Sequence, residues 1–515
     1  MPISTENQIK VINPATGEEI STVLASSKQE ITEKFQLAKE TFSFWSSFSI
    51  EKRIGYLKRI FELIINDRKN IAETITKSNG KPLAESYLTE IASTLQVIEY
   101  FIKKGVELLN DKKIALGKLY PTKKSSVSYE PYGVIAIIEP WNYPFYLPFS
   151  AITKTLLAGN TFIFKPASAV SLIGKLIEEI LQKTELPSGV ANVIYGDSKV
   201  ADILLELPID KVIFTGSVEV GRKIAEKCAK KLLPVSLELG GKDPAIILKS
   251  TNIDYAAQGV LWGAISNCGQ ACASIERVYV ESKIYDEFTE KIISLAKNLR
   301  VGNGLDNDID VGPLTSNNQL EKVEEHVFDA VNKGAKILAG GERVQGPGFF
   351  FEPTIITEVN HSMKIMTEET FGPVIPIMKF ETVEEAIQLA NNSNYALAGS
   401  IWTSESKKAR GIAQKLNCGT VWINDSLFLQ AHPACPWQGY KDSGYGGSSI
   451  YDFVRLKHIS IDQGFIPTLK PKYFWWYPYK GKARSYHDLI EVIFKGNLKG
   501  KFAAGFNTLI DFLNN

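Results

Sequence analysis

Apolar residues follow two different periods along the chain, which divide it into a helical beginning and an alternating body. Between residues 28 and 78 they recur every three or four positions, which is the period of an amphipathic helix. One apolar stripe consists of Ile31, Phe35, Ala38 and Phe42, and a second consists of Ile54, Leu57, Phe61 and Ile64. The pattern predicts helices in this region, each with one buried face.

From about residue 133, short apolar runs alternate with amphipathic segments. The predicted strands of this first series cover residues 134–138, 161–164, 190–195, 212–214 and 233–239, and the predicted helices cover 171–183, 200–207 and 222–232. A second series, from about 241 to 430, has predicted strands at 245–248, 277–280, 335–338, 374–380, 399–402 and 420–423. This alternation is typical of parallel sheets with helices on both faces. The predicted fold class is therefore α/β, with two doubly wound parallel sheets.

Composition and charge exclude several classes of protein. The chain has 515 residues, a formal net charge of +1 and 44% apolar residues, so no global field attracts nucleic acid. We find no signal-peptide pattern at the N-terminus and no apolar run long enough to span a membrane. Five cysteines, an odd number, argue against a disulfide framework and favour a cytoplasmic location. The five histidines are far apart, so no metal site is expected.

The C-terminal extension, residues 464–515, differs in composition from the rest. It contains eight Lys and Arg against three Asp and Glu, and its aromatic residues cluster at Tyr473, Phe474, Trp475, Trp476, Tyr477 and Tyr479. We expect it to pack on the body or on a neighbouring subunit, because large exposed apolar patches are rare on soluble proteins. The alternative is a peripheral membrane contact, with Trp and Tyr at headgroup depth and Lys facing anionic lipid.

A polar loop, residues 267–275, surrounds Cys272. A lone free cysteine is usually a small buried hydrophobic residue. A loop rich in Gly and Gln is a poor place for a core residue, however, and it favours a nucleophilic thiol. Cys268 could be a redox partner of Cys272, but we interpret it as a packing residue.

Glu238 lies between Leu237 and Leu239 at the end of a predicted strand. It could form an ion pair with Lys242. Burial between leucines would instead raise the proton affinity of the carboxylate, which suits a general base near neutral pH.

Other polar residues also follow predicted strand ends, where parallel sheets bind their ligands. Asn142 is either a turn residue or an amide donor to an oxyanion. Residues 216–221 have a G-x-x-x-x-G pattern that opens a predicted helix, an arrangement that accepts a pyrophosphate. Lys165 is either a solvated charge or a contact to ribose or phosphate. Residues 369–373 either cap a helix or place a carboxylate on a ribose and an aromatic ring against a nicotinamide.

Five separated motifs occur in the order in which one known family carries them. They are PWNYP at 140–144, KPAS at 165–168, FTGSVEVG at 214–221, LELGGK at 237–242 with SNCGQAC at 266–272, and EETFGPV at 368–374. Together they resemble the aldehyde dehydrogenase superfamily, with similarity from roughly residue 12 to residue 461. The resemblance implies oxidation of a small-molecule aldehyde to a carboxylic acid through a cysteine thiohemiacetal and thioester.

The resemblance also implies a domain division and an assembly. Residues 1–112 and 132–240 would form the nicotinamide-cofactor domain, and residues 241–432 the catalytic domain. Residues 113–131 and 452–463 would form a small β element used in oligomerisation, and the protein would be a homodimer or homotetramer.

The implied catalytic residues are Cys272 as nucleophile, Glu238 as the base that activates water, Asn142 in the oxyanion hole, and Lys165. The implied site for NAD or NADP consists of Trp141, Lys165, Ser168, Gly216, Ser217, Gly221, Glu238, Leu239, Gly240, Glu369 and Phe371. At the third position after Lys165, NAD-preferring members often carry a Glu that holds the ribose 2′-hydroxyl. Ser168 stands there instead, so NADP use is expected as well as NAD use.

By their offset from Asn142 and Cys272, the expected substrate contacts are Tyr146, Leu147, Trp262, Ala271 and Ala273. None is an Arg that would hold a carboxylate, so an apolar or aromatic aldehyde is expected, long-chain aldehydes included. One alternative is a CoA-acylating relative, against which Glu238 argues. Another is a catalytically silent binding or structural protein with the same fold, against which the presence of all three central residues argues.

Overall fold

Two sheets of mainly parallel strands, with helices packed on them, form the body of the molecule. The structure, a computed structural model, describes residues 8–117, 120, 123–427, 432–447, 449–462, 477 and 479–494. Among these, the residues up to 108 and residues 131–455 form one compact unit, whereas residues 109–130 and those from 456 onward form a second. The predicted α/β class with parallel sheets is confirmed.

The helices and strands alternate along the described chain. The strands are β1 (Gln8–Ile12), β2 (Glu19–Leu24), β3 (Lys112–Ile114), β4 (Lys123–Pro131), β5 (Val134–Glu139), β6 (Thr161–Pro166), β7 (Ala191–Val193), β8 (Lys211–Thr215), β9 (Val235–Glu238), β10 (Asp243–Ile247), β11 (Ile275–Glu281), β12 (Lys336–Ala339), β13 (Thr354–Thr357), β14 (Val374–Phe380), β15 (Tyr395–Ala396), β16 (Ala398–Trp402), β17 (Thr420–Ile423), β18 (Tyr440–Lys441), β19 (Gly444–Tyr445) and β20 (Val454–Asp462). The helices are α1 (Lys28–Ser46), α2 (Ile50–Asn66), α3 (Arg68–Asn79), α4 (Leu83–Glu85), which runs through π-helical residues Ser86–Ala92 into α5 (Ser93–Leu109), α6 (Tyr146–Ala158), α7 (Ser171–Lys183), α8 (Ser198–Glu206), α9 (Val218–Lys230), α10 (Ile253–Ile265), α11 (Tyr285–Lys297), α12 (Asn317–Asn332), α13 (Lys364–Thr367), α14 (Val383–Asn391), α15 (Ser406–Ala413) and α16 (Lys482–Phe494).

The first sheet has the strand order β19-β9-β8-β5-β6-β7 and is parallel except for β19. Every residue of β5 and β6 is buried, as expected for central strands covered on both faces. The carboxyl ends of β5, β6, β8 and β9 lie at one edge of the sheet. Asn142, Lys165, Thr215 and Glu238 therefore lie at or just past strand ends, as the sequence predicts.

The second sheet has the order β12-β13-β14-β11-β10-β16-β17 and is parallel except for β12. The structure contains one strand here, β13, that is missing from the predicted set. Residues 239–242 form a short connection between the two sheets, because β10 follows directly after β9. The predicted domain boundary at 240 falls in this connection and stays a prediction.

The helical beginning of the chain forms α1, α2 and α3. Ser27 and Ser49 cap α1 and α2 with side-chain bonds to backbone amides three residues later. The predicted stripes are buried with two exceptions. Phe42 and Phe61 are only half-buried, and in α1 Trp45, one turn after Phe42, is the aromatic residue that is fully buried instead.

The second unit contains a three-stranded sheet with the order β20-β4-β3, followed in the chain by α16. The predicted oligomerisation element falls on this sheet, but its role in joining subunits stays a prediction. Of the C-terminal extension, only residue 477 and residues 479–494 are among the described residues, so the cluster at residues 473–476 lies outside them. Within the described residues, none of the helices combines the length and the apolar character needed to cross a membrane.

Candidate active site

The loop before Cys272 has a strained backbone. Residues 267–269 follow α10 with φ angles of 54°, 55° and 71°, in the left-handed region that residues other than glycine rarely adopt. Such a conformation persists where surrounding bonds hold it. Here the side-chain amide of Asn267 donates to the carbonyl oxygens of Asn142 at 2.9 Å and Gln270 at 3.1 Å. The loop is thereby tied to the residues that follow β5.

Cys272 is half-buried and lines a cavity of about 80 Å³. Burial raises the pKa of its thiol, and the charges of Asp243, Glu369 and Glu238 raise it further. The resting group is therefore a thiol, and it needs a base to become nucleophilic. Cys268, in contrast, is buried within the apolar core around the second sheet, in agreement with a packing role.

Glu238 ends β9 and lines the same cavity as Cys272. Within the described residues neither of its carboxyl oxygens has a hydrogen-bond partner. Burial raises the pKa of this carboxyl well above its usual range. The alternative ion pair with Lys242 does not form, because Lys242 Nζ lies 2.6 Å from Glu276.

Asn142 is buried beside the Cys272 loop, where its side-chain nitrogen donates to the Gln270 carbonyl at 3.1 Å. Its own carbonyl oxygen accepts from Lys81 Nζ at 2.9 Å. Lys81 in turn forms a fully buried ion pair with Glu90 at 2.6 Å. The Asn142 backbone is thus held by Lys81 and its carboxamide by Gln270, and the carboxamide nitrogen carries a second N–H that can be donated to a reacting oxygen.

The predicted substrate contacts fall around two neighbouring cavities. Tyr146 and Leu147 line the small cavity beside Cys272. Trp262 and Tyr146 line a second cavity of about 570 Å³. Ala271 and Ala273 are buried in an apolar cluster that also includes Tyr146 and Leu147. The two cavities share Tyr143 and Tyr146, so these rings stand between the larger space and the thiol.

Lys165 lies near the carboxyl end of β6 and is buried. Burial lowers the pKa of its ammonium to about 8, although the charge of Asp197 acts in the opposite direction. Ser168 opens the short helical turn that follows, and its hydroxyl donates to the Gly196 carbonyl at 2.8 Å. The cation and the hydroxyl therefore lie at the same sheet edge as the amino end of α8.

The amino end of α9 follows β8 directly. The sequence predicts this helix from residue 222, but it begins at Val218 because the Ser217 hydroxyl accepts from the Val220 amide at 3.4 Å and caps it. Gly216 precedes the cap, and Gly221 packs against the side chain of Leu239. A helix amino end that directly follows a strand is a type of arrangement that can accept a pyrophosphate.

The loop of residues 368–373 approaches the Cys272 loop and the end of β9. The carboxylate of Glu369 accepts from the Gly241 amide at 2.9 Å. Burial raises the pKa of this carboxyl to about 7, and the nearby charge of Glu276 raises it in the same direction. Phe371 makes an edge contact with Trp141 across 5.5 Å between ring centroids.

Glu276 anchors the loop of residues 368–373. Its carboxylate accepts from the backbone amides of Thr370 at 2.7 Å and Phe371 at 2.8 Å, and it also holds Lys242. A Cβ on Gly269 would lie 2.1 Å from the carbonyl oxygen of Gly372. The two loops therefore touch through their backbones, and only glycine fits at that contact.

Comparison with known proteins identifies the family. The profile of the Aldehyde dehydrogenase family matches residues 3–459. The glutarate-semialdehyde dehydrogenase of Pseudomonas putida is 35% identical over 461 residues, which cover 88% of this chain and 94% of the relative. The 4,4′-diapolycopene aldehyde oxidase of a Methylomonas species is 34% identical over 439 residues, 85% of this chain and 82% of the relative.

Solved structures agree with the sequence relatives. An aldehyde dehydrogenase from Brucella melitensis biovar abortus superposes with a TM-score of 0.86 at 33% identity, covering 90% of this chain and 96% of that one. An NADP-dependent enzyme of E. coli has a TM-score of 0.85 at 33% identity (88% and 95% covered). The NAD+ complex of a Bacillus cereus aldehyde dehydrogenase has a TM-score of 0.85 at 31% identity (88% and 93% covered). The chain belongs to the aldehyde dehydrogenase family. It is therefore an oxidoreductase that acts on aldehydes.

The chemistry of the polar groups at the sheet edge fits the dinucleotide that such a dehydrogenase requires. The amino end of α9 offers backbone amides, and buried Lys165 offers a cation for ribose or phosphate oxygens. The Glu369 carboxylate lies within 2.5 Å of where a Cβ on Gly240 would be, so a side chain at residue 240 would displace it. The cofactor residues predicted for this aldehyde dehydrogenase lie at or just past the carboxyl ends of β5, β6, β8 and β9, on α9, in the 239–242 connection, or in the loop of residues 368–373.

Two groups that the sequence does not point to directly also line the cavity of this aldehyde dehydrogenase, beside the predicted strand-end residue Thr215. They are Glu139 at the end of β5 and Lys154 on α6. Glu139 carried a usable signal, because it follows the apolar run 134–138 at the same sheet edge as the other site residues. Lys154 carried none, since it lies within an apolar helix whose contacts depend on the fold.

Proposed function

We propose that this enzyme oxidises an apolar or aromatic aldehyde to a carboxylic acid with NAD or NADP, through a covalent intermediate on Cys272. The observation that carries the proposal is the placement of Cys272 and Glu238 on one closed cavity of about 80 Å³. The two residues come from different segments of the chain, and a nucleophile and a base so placed support acyl chemistry.

In the first step Sγ of Cys272 bonds to the aldehyde carbon, and the carbonyl oxygen becomes an oxyanion. The Nδ2 group of Asn142 and the backbone amide of Cys272 are the donors for that oxygen. Glu238 is the carboxylate available to take the thiol proton, since it lies on the same cavity, and it releases that proton to solvent before the second step. A nicotinamide held at the sheet edge would supply the hydride acceptor, and loss of hydride from the carbon bonded to Sγ would leave a thioester on Cys272.

In the second step water hydrolyses the thioester. The buried carboxylate of Glu238 has a raised pKa, which makes it a strong enough base to take a proton from water near neutral pH. This step favours a hydrolytic enzyme over a CoA-acylating one. It also argues against a catalytically silent protein with the same fold.

For the cofactor we propose use of NAD and NADP. The similar solved structures include one with NAD+ and one described as NADP-dependent. Ser168 places no carboxylate next to Lys165, so a 2′-phosphate meets a cation there, with Asp197 as the opposing charge. The roles of Trp141, Gly216, Ser217, Gly221, Leu239, Gly240, Glu369 and Phe371 at this site belong to the same proposal.

The proposed aldehyde has an apolar or aromatic body, and a long chain fits as well. The cavity of about 570 Å³ has the volume for such a body, and aromatic rings of Tyr143, Tyr146 and Trp262 line it. The carotenoid-derived aldehyde in the name of the Methylomonas relative is a long apolar one. Glutarate semialdehyde, in the name of another relative, carries a carboxylate, and among the described residues none that lines the two cavities is an Arg.

A kinetic panel tests substrate and mechanism together. Aldehydes of increasing chain length, aromatic aldehydes and a semialdehyde are compared with NAD and with NADP, in the presence and absence of CoA. We expect kcat/KM to rise with apolar surface and the product to be the free acid. Formation of acyl-CoA, or a preference for the semialdehyde, would contradict the proposal.

Glu238→Gln separates the two chemical steps. The variant should keep more of its hydride transfer than of its thioester hydrolysis, so a burst of reduced cofactor should precede a slow steady state. Rapid-mixing absorbance of the reduced cofactor measures both phases. An equal decrease in the burst of reduced cofactor and in the steady-state rate would contradict the proposed role of Glu238 in hydrolysis.

For the assembly and location we propose a cytoplasmic homodimer or homotetramer joined through the sheet β20-β4-β3. In the C-terminal extension, the apolar residues Leu489, Ile490, Ile493 and Phe494 lie on one side of α16, and Ile490 and Phe494 are exposed. Packing of this extension on the protein is the proposed role, and a peripheral membrane contact is the alternative.

A further inference from the structure

Three polar side chains lie side by side across the first sheet at its carboxyl edge. β8 lies between β5 and β9, Ile138 of β5 pairs with Phe214 of β8, and Thr215 pairs with Glu238 of β9. Glu139, the next residue of β5, is therefore level with Thr215. Adjacent strands are about 4.8 Å apart, and paired residues of parallel strands point to the same face. Glu139, Thr215 and Glu238 thus form one row, and all three line the cavity of Cys272.

Glu139 is a buried carboxyl in an otherwise apolar strand. It is 4% exposed, and within the described residues its Oε2 atom has no hydrogen-bond partner. Burial raises its pKa to about 8, while the Thr215 hydroxyl and the charge of Lys154 act to lower it. A buried carboxyl with one oxygen unpaired costs stability, so its presence on the wall of the Cys272 cavity calls for a role.

Lys154 is the cation that interacts with both carboxyl groups of the row. It lies on α6, lines the same cavity, and has a pKa lowered to about 8 by burial, with the charges of Glu139, Glu238 and Asp452 acting against that shift. The charged and titratable groups around Glu139 are thus Lys154 and Tyr146 of α6, Glu238 of β9 and Cys272. Two carboxyl groups and an amine therefore line one small cavity.

We propose that Glu139 accepts the proton that Glu238 takes from the hydrolytic water, with Thr215 and Lys154 between the two carboxyl groups. The inference rests on the proposed function and concerns its second step. Glu139 acts through Glu238 and does not touch the substrate, so it is a positioning residue for the proton.

The step balances without an oxidant or reductant. One O–H bond of water breaks as its oxygen bonds to the acyl carbon, and the C–S bond breaks to release Cys272 as a thiolate, which takes a proton from solvent to become the resting thiol again. The proton from water bonds to a Glu238 oxygen. It then passes to a carboxylate oxygen of Glu139 through the Thr215 hydroxyl or the Lys154 amine, and leaves to solvent. Glu238 is an ionised base again for the next turnover.

The test compares Glu139→Gln with wild type by rapid mixing and at steady state. The variant keeps the shape of the side chain but cannot accept a proton. We expect its burst of reduced cofactor to stay within about twofold of wild type, while the steady-state rate falls on the order of tenfold or more. In wild type the steady-state rate should rise as pH increases through about 8, because Glu139 ionises there, and Glu139→Gln should lack that rise.

Two further variants control for a structural effect. Glu139→Asp keeps a carboxyl and should recover part of the steady-state rate. Glu281→Gln alters another buried strand-end carboxyl, whose partner is the Lys249 amide at 2.9 Å, and it should leave the burst-to-steady-state ratio unchanged. Should Glu139→Gln fail to fold, Thr215→Val tests the same route, because it removes the hydroxyl between the two carboxyl groups at nearly constant volume.

Each outcome decides the inference. An unchanged steady-state rate and pH profile in Glu139→Gln would overturn it, and so would an equal loss of burst and steady state, which indicates a structural role. If Thr215→Val is the variant used, an unchanged steady-state rate would overturn it in the same way. Failure of the proposed function is distinguishable, because wild type itself would then reduce no cofactor with any aldehyde.

Discussion

At the scale of single residues, the site depends on placing titratable groups where water is scarce. Burial raises the pKa of both Cys272 and Glu238, and in the proposed mechanism one acts as a nucleophile and the other as a base. Both line one cavity, and the proposed mechanism therefore passes the thiol proton to the carboxylate within that cavity.

The first prediction concerns the nucleophile. Cys272→Ala should abolish cofactor reduction with every aldehyde, because the covalent route has no other thiol on the cavity among the described residues. The control is Cys435→Ser, which changes an exposed thiol and should leave kcat and KM near wild type. Absorbance of the reduced cofactor is the measurement. Turnover of Cys272→Ala near the wild-type rate would disprove the assignment.

A second prediction concerns cofactor choice at Ser168. Measurable activity is expected with both cofactors, and Ser168→Glu should shift preference toward NAD. A carboxylate near the 2′-phosphate costs on the order of 1–3 kcal/mol through like-charge repulsion. The KM for NADP, measured beside that for NAD, checks this. An NADP KM that does not respond to the substitution would count against the placement of Ser168.

The third prediction uses the pKa of Lys165, which burial lowers to about 8. Its ammonium is charged below that pH and loses its proton as pH rises through it. Binding of a 2′-phosphate should therefore weaken between pH 7 and pH 9, by about tenfold for the loss of one charged contact. The ratio of kcat/KM for NADP to that for NAD measures the effect. Lys165→Met should remove this pH dependence, and a wild-type ratio that is flat with pH would refute the contact.

At the scale of elements, the sequence predicts the site-bearing strands better than the segments between them. The apolar runs that become β5 and β6 are long, and their ends coincide with Asn142 and Lys165. β13 has only four residues, two of them Thr, so its period cannot be recognised without its neighbours β12 and β14. α9 begins at Val218, before the predicted start at residue 222, because Ser217 caps the helix there.

The same limit applies to the site. Cys272, Glu238 and Asn142 are recognisable because each stands in a motif at a strand end or in a polar loop. Glu276 and Lys242 were not assigned roles, because what makes them important is the distance between their charges. Contacts between segments far apart in sequence depend on the fold, and no periodicity reports them.

The fourth prediction concerns that buried pair, which holds the loop of Phe371. Glu276→Gln leaves the charge of Lys242 buried and unpaired, and it weakens the anchor of the Thr370 and Phe371 amides. We expect a loss of about 3–5 kcal/mol in the free energy of unfolding, measured with denaturant. The KM for cofactor should rise in parallel, because Glu369 and Phe371 lie on the same loop.

The matched control for that prediction is an exposed pair. Arg343 and Glu324 lie 2.7 Å apart at the surface, so Glu324→Gln should change the free energy of unfolding by no more than about 1 kcal/mol. If Glu276→Gln and Glu324→Gln lowered the free energy of unfolding by the same small amount, the Glu276 carboxylate would not anchor the loop.

At the scale of the whole molecule, the two units differ in what they expose. The unit with the two parallel sheets buries its apolar residues around the site. In the second unit, β20 exposes Leu456, Ile459 and Ile461. Apolar side chains at the surface of a sheet favour contact with another copy of the chain, which is consistent with the proposed oligomerisation element.

The last prediction separates the two roles of the C-terminal extension by comparing the full chain with a truncation ending at Gln463. Packing on the protein predicts that both forms stay in the supernatant with anionic vesicles at low salt. It also predicts that the truncation lowers the melting temperature or the mass measured by light scattering, because Ile490 and Phe494 then no longer cover protein surface. A membrane contact predicts the reverse. Only the full chain would sediment with vesicles, salt would release it because Lys contacts to anionic lipid are screened, and the mass would not change. Sedimentation of the full chain alone would therefore overturn the packing role.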